Sequence, residues 1–224
     1  MTENIRKTAC FLREKLAENP GNGDYRLAHT MRVARIGAAI ARAEGLDEEA
    51  MTVACLLHDI SYCRPFTGEA DWKDHGRASA AIARPFLETL ALTEAQRAAI
   101  LYGIAAHVDD RPELPGEPTP FTGTVADADN IDRFDAFRIY ETLSRAGYEK
   151  LSPDARKTHL EETLAKLRKL RGLPFATKTA AALWRQRLGD WIHFYERLLQ
   201  QNEDGRFLLE EETTARSETY ESAQ

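Results

Sequence analysis

Positive charge is the first thing this chain is short of. Its 30 Lys and Arg stand against 36 Asp and Glu, a formal net charge of −6. No basic surplus exists to displace the counterions of a nucleic-acid backbone, which argues against a nucleic-acid polymer as the main partner. A local basic pocket for a small anion is compatible with that balance. Cysteine is scarce as well. Cys10, Cys55 and Cys63 are odd in number and lack CxxC spacing, so they read as free thiols in a reducing compartment rather than as a disulfide framework. Long apolar runs are missing. No stretch is long enough to span a bilayer, and the opening MTENIRKTAC lacks the apolar core of a signal peptide. A cytoplasmic location, with no membrane partner, is expected by elimination. Strand signals are also weak: there is no convincing strand pair and no internal repeat, and only residues 121–125 have any β character.

What is present is helical pattern. At 224 residues, 43% hydrophobic and 29% charged, the chain has ordinary globular composition and enough length to bury a core. Apolar residues at steps of three and four predict helices over 3–18, about 25–44, from the Asp47 cap to near Asp59, about 74–90, from the Thr93 cap to Val108, from about Val125, over about 153–171 and over roughly 178–201. Residues 109–123 hold four prolines and two glycines, so a loop is expected there, long enough to serve as a lid or substrate loop. The stretch 202–224 is acidic and poor in large apolar groups, and is expected to be mostly disordered.

The histidines carry the chemistry. His58 and Asp59 follow the apolar run Val53-Ala54-Cys55-Leu56-Leu57. Such a pair is costly to bury unless something compensates, and a divalent metal would do so. In isolation the dipeptide reads as an ordinary helix end. His29, however, shares a helix face with Val33, Ile36 and Ile40. His75 lies in line with Ala78, Ser79 and Ile82, and His107 with Ile100 and Ile104. Asp127, Asp129 and Asp132 crowd an expected helix start, where one could cap but three would repel each other without a cation. Inward histidines together with inward acids are hard to explain one at a time.

Taken in order, these residues resemble the HD-domain superfamily of metal-dependent phosphohydrolases. The pattern is a His, a His-Asp pair and a distant Asp: His29-Thr30-Met31-Arg32-Val33, then Leu56-Leu57-His58-Asp59-Ile60, then Ala126-Asp127-Ala128-Asp129-Asn130-Ile131-Asp132. His75-Gly76-Arg77-Ala78 and Ile104-Ala105-Ala106-His107 are similar to further family segments. The likeness extends to small bacterial HD proteins of the nucleotide pyrophosphohydrolase type, through Tyr148-Glu149-Lys150-Leu151 and Thr177-Lys178-Thr179-Ala180, and covers about residues 20–200. It implies an all-α HD-type helical bundle, one domain over 1–201, with its core at 20–145 and C-terminal helices at 146–201.

The resemblance also implies site roles. His29, His58, Asp59 and Asp129 match the metal ligands, with Asp127 supporting or capping. His75 and His107 match positions that act as an acid or bind a second metal, and with Asp59 they are the catalytic candidates. Arg32, Lys73, Arg77, Asn130 and Arg133 are the candidates for binding substrate; Asn130 stands where the family often has Arg or Lys. The implied cofactor is a divalent transition metal (Mn, Fe, Ni, Co or Zn), one ion rather than two. The implied reaction is hydrolysis of a phosphate ester or pyrophosphate bond by metal-activated water, in a small phosphorylated substrate, a nucleotide by preference. Two other classes share the pattern: a di-iron oxygenase, if four His and two Asp hold two irons, and a nucleotide-sensing module without turnover. Trp184, Trp191, Phe194 and Tyr195 are either core or contacts of a homodimer.

Overall fold

A computed structural model describes residues 1–21 and 23–205. Among these residues there are nine α-helices and no strand: α1 (Glu3–Leu16), α2 (Gly23–Glu44), α3 (Glu48–Leu57), α4 (Glu69–Leu87), α5 (Glu94–Ala106), α6 (Pro120–Arg133), α7 (Ala136–Arg145), α8 (Pro153–Lys169) and α9 (Lys178–Asp204). The all-α expectation holds. No helix among the described residues is long and apolar enough to cross a membrane.

Local chemistry explains most helix ends. Gly45 follows α2 at φ +69°, the left-handed conformation that glycine adopts without a Cβ penalty, and the Leu46 N–H turns back to the Ala41 carbonyl at 2.9 Å. The Asp47 carboxylate accepts from the Ala50 N–H at 2.9 Å and opens α3. At the start of α5, Thr93 and Gln96 cap each other's backbone reciprocally, at 3.2 and 2.8 Å.

Two expected boundaries need correction. Helix α4 starts at Glu69, not near residue 74, because the Asp71 carboxylate accepts from the Thr67 and Gly68 N–H groups at 2.6 and 3.2 Å. His75 is therefore well inside the helix rather than at its beginning. The proline-rich loop is shorter than 109–123, and residues 121–125 are helical, not β-like. Pro120 takes the first position of α6, where its missing N–H costs nothing, and the Thr119 hydroxyl accepts from the Thr122 N–H at 3.1 Å. Asp127, Asp129 and Asp132 consequently lie inside α6 and not at a helix start, so capping accounts for none of them.

The described residues divide into two compact units, Met1–Arg133 with Pro174–Trp184, and Phe134–Leu173 with 185–205. In the first unit α3 is the central element. Ala50, Met51, Val53, Ala54, Cys55, Leu56 and Leu57 are all buried, which a helix achieves only when neighbours cover every side. Helices α1, α2, α5 and α6 supply that cover. The 174–184 segment is tied to the same unit by backbone N–H donors, Ala176 to Asp127 at 2.8 Å and Thr179 to Glu44 at 2.7 Å.

In the second unit, Leu160, Leu164 and Leu167 of α8 and Leu188, Trp191, Ile192 and Tyr195 of α9 are buried at helical spacing. Trp184, Trp191 and Tyr195 are interior, while Phe194 is 44% exposed. The expected disorder of 202–224 falls outside the described residues from 206 on; α9 itself runs to Asp204.

Candidate metal centre

Five helices of the first unit send side chains to one point. His29 comes from the first half of α2. His58 is the C-cap of α3, and Asp59 leaves the helical conformation (φ −110°, ψ 18°), which lets two adjacent side chains turn toward the same place. His75 comes from α4, His107 from the end of α5, and Asp129 and Asp132 from one face of α6. Gly76 sets the approach of α4 to α5. A Cβ on it would stand 2.8 Å from the Ala105 carbonyl oxygen and 3.0 Å from that of Ile104. That contact brings the His75 and His107 Nε2 atoms to 3.1 Å.

Each of the four imidazoles is fixed through Nδ1. His58 donates to the Cys55 carbonyl at 2.7 Å, His75 to that of Trp72 at 2.6 Å and His107 to that of Ile104 at 2.6 Å, while His29 Nδ1 faces Asp132 at 2.8 Å. Such anchoring orients each ring and turns its Nε2 toward the centre. The four Nε2 atoms surround Asp59. His29 and His58 lie 3.6 and 3.5 Å from its Oδ2, and His75 and His107 lie 3.3 and 3.6 Å from its Oδ1. Asp129 Oδ1 is 3.1 Å from His29 Nε2 and 3.8 Å from His58 Nε2. Three sets of ligand atoms are close enough to share an ion: His29–His58–Asp59, His58–His107–Asp129 and Asp59–His75–His107.

Burial drives the His58 pKa down to about 4, so its ring is neutral at pH 7. With Nδ1 donating, its Nε2 is a lone pair facing two carboxylates. Burial pushes Asp59 toward protonation, but His58, His107, His75 and Arg26 outweigh it and hold the carboxyl well below its ordinary value. Asp129 is likewise buried, yet His29 and His58 hold it ionised. At His29 burial disfavours charge, but Asp129 and Asp132 prevail and raise its pKa to about 9. His29 Nε2, His58 Nε2 and Asp59 Oδ1 are buried without a hydrogen-bond partner, a costly arrangement that a cation between them would satisfy. Imidazole nitrogen and carboxylate oxygen are the donors that zinc, manganese and iron accept. The residues present thus fit a divalent transition metal.

The other sequence-derived candidates separate into two groups. Arg32 adjoins the centre through Asp132, donating at 2.7 and 3.0 Å. Arg133 lies 3.7 Å from Asp129 Oδ2, and Asn130 is half-buried on α6 beside it. Lys73 is exposed and paired with Glu69 at 2.7 Å. Arg77 bonds to Asp74, Asp109 and the Arg111 carbonyl. Among the described residues, neither Lys73 nor Arg77 bonds to a member of the His/Asp cluster. Asp127 faces away from the cluster, toward the Ala176 N–H.

Sequence reasoning passed over Arg26 and Tyr62. The Arg26 guanidinium donates to Asp59 Oδ2 at 2.5 Å, and its Cζ sits 3.5 Å from the Tyr62 ring centre. A signal existed, since Arg26 stands one turn before His29 on the same helix face.

Residues 26–133 match the family model described as HD domain. No curated protein and no solved structure matches the chain. All seven residues of the cluster (His29, His58, Asp59, His75, His107, Asp129 and Asp132) lie within the matched segment, so what the chain shares with the HD-domain model is the part that builds this centre.

Proposed function

We propose that the chain is a metal-dependent phosphohydrolase that cleaves a phosphate ester or pyrophosphate bond of a nucleotide. The observation that carries this reading is His58 Nε2, a buried neutral lone pair facing the Asp59 and Asp129 carboxylates. His29, His58, Asp59 and Asp129 would hold one ion. When bound, a divalent metal supplies Lewis-acid activation of the phosphoryl group and of water.

The remaining tasks fall to side chains around it. The leaving oxygen needs a proton, and His75 is the better placed donor. Its side chain is 15% exposed, against 1% for His107, so substrate can reach it. Charge developing on the phosphoryl oxygens calls for fixed cations. Arg26 and Arg133 flank Asp59 and Asp129 and suit that role, with Arg32 holding Asp132 and, through it, His29. Arg77 is engaged by Asp74, Asp109 and the Arg111 carbonyl, and Lys73 by Glu69, so neither is assigned a part in the reaction.

The reading is tested by following phosphate or pyrophosphate release from a panel of phosphorylated metabolites with and without O₂. Release at equal rates in both is expected. Strict dependence on O₂, together with two irons per chain, would sink the hydrolase reading.

A second reading has one observation in its favour. Asp59 Oδ1 faces His75 and His107 as Oδ2 faces His29 and His58, so the cluster offers ligands for a second ion, as a di-iron oxygenase requires. His75→Ala separates the two. In the one-ion hydrolase it keeps the metal and slows turnover by roughly 10²–10⁴-fold, the cost of a lost general acid. In the two-ion case it lowers the metal content per chain.

A further inference from the structure

Beside His75, and unused by the chemistry described so far, lies a group of aromatic rings. Tyr62 and Phe66 are 4.3 Å apart between ring centres, and Trp72 meets them edge-on at 5.7 and 5.1 Å. The group adjoins the metal centre on two sides. Tyr62 and Phe66 approach the His75 ring at 5.6 and 6.2 Å, and Tyr62 carries the Arg26 guanidinium on its face. The Trp72 carbonyl is the group that orients His75. Tyr62 is 4% exposed, as packing requires, but Trp72 is 52% exposed. A ring present only for packing would be covered; this one leaves much of a large aromatic surface in water next to the catalytic cluster.

We propose that Trp72, backed by Tyr62 and Phe66, is the platform on which the planar heteroaromatic ring of the phosphorylated substrate stacks. Its function is to select nucleotides over phosphates that lack a ring. This rests on the phosphohydrolase reading and adds to it the residue that determines specificity. The chemistry is complementary at both ends: π surface at Trp72 for the base, and the Arg26 and Arg133 cations near Asp59 and Asp129 for the phosphate. Stacking is tolerant of base identity because every base has a π face, so preference for a ring is expected to exceed preference among rings.

The test uses the metal-loaded full chain and its own fluorescence. Trp184 and Trp191 are 1% and 5% exposed, so the emission that iodide can quench comes from Trp72. AMP and CMP should quench that emission after correction for absorbance, and ribose 5-phosphate should not. W72L should lower the ratio of kcat/KM for AMP to that for ribose 5-phosphate by about 5- to 150-fold, the range that base–aromatic stacking supports. W72F, which keeps a stacking ring, should retain most of the ratio; if W72L fails to fold, W72F and the wild-type quenching decide. Equal quenching by all three compounds, or an unchanged ratio in W72L, overturns the platform. Phosphate release from AMP and ribose 5-phosphate at equal efficiency in the wild type also overturns it, while the hydrolase reading survives. Quenching by nucleotides alone, with no turnover of any phosphorylated compound, supports the platform and defeats the hydrolase reading instead.

Discussion

At the scale of the residue, metal binding depends on which atoms face the centre. Asp127 and Asp129 are two positions apart on α6 and so point to different sides of the helix. Asp129→Ala should abolish metal binding. Asp127→Ala should keep the metal and lower stability by about 1–3 kcal/mol, because the Ala176 N–H loses its acceptor. Metal analysis and urea unfolding of both variants check this, and metal loss in Asp127→Ala with retention in Asp129→Ala would reverse the assignment.

His29 gives the centre a pH dependence. Without metal its pKa is raised from 6.5 to about 9, so the bound proton stabilises the fold. That stabilisation is complete below 6.5 and lost as pH rises through 9. A metal must displace the same proton, so apparent affinity should climb with pH across this window. Calorimetry near pH 7.5 in buffers of different ionisation enthalpy should detect release of close to one proton per ion; buffer-independent heats would refute the mechanism.

His29, His75 and His107 are legible in the sequence because periodicity places each on an apolar face, whereas His58, Asp59 and Asp129 stand out as a set only through the order of the motif. The cations are legible only in part: Arg32 and Arg133 adjoin the centre, Lys73 and Arg77 pair elsewhere, and Arg26 is not among the sequence candidates. Whether an arginine serves a substrate or an acidic neighbour depends on pairing across elements, as with Arg77 and Asp109, and pairing of that kind leaves no periodic trace.

At the scale of the element, capping chemistry read well. Asp47, Thr93 and Pro153 each stand where the structure starts a helix. The start of α6 did not. Proline and glycine within 109–123 both signal a loop, but Pro120 is a helix-initiating proline and Gly123 lies inside the first turns of α6. The meeting of α4 and α5 is a second feature that sequence reading left out, since nothing in the spacing shows that Gly76 faces two backbone carbonyls. Gly76→Ala should force the helices apart, cost about 1–3 kcal/mol by overpacking and displace His75 from His107. Turnover should fall while the metal held by His29, His58, Asp59 and Asp129 stays. Unchanged stability and turnover would show that α4 and α5 yield freely and that Gly76 does not place His75.

At the scale of the whole molecule, the expected metal ligands all belong to the unit containing Met1–Arg133, and the energetic effect of the ion should be confined there. Chelation should destabilise the chain by about 3 kcal/mol if the ion is present at a hundredfold its dissociation constant. Hydrogen exchange should rise in α2, α3 and α6 and stay level in α7 and α8. The central claim, that the His/Asp cluster holds a metal, is tested most directly by one measurement: the transition-metal content per chain of protein purified without chelator, wild type beside His58→Ala. The account predicts at least one ion per chain in the wild type and almost none in the folded variant. A metal-free wild type with phosphohydrolase activity, or a His58→Ala protein with wild-type metal content, would contradict it.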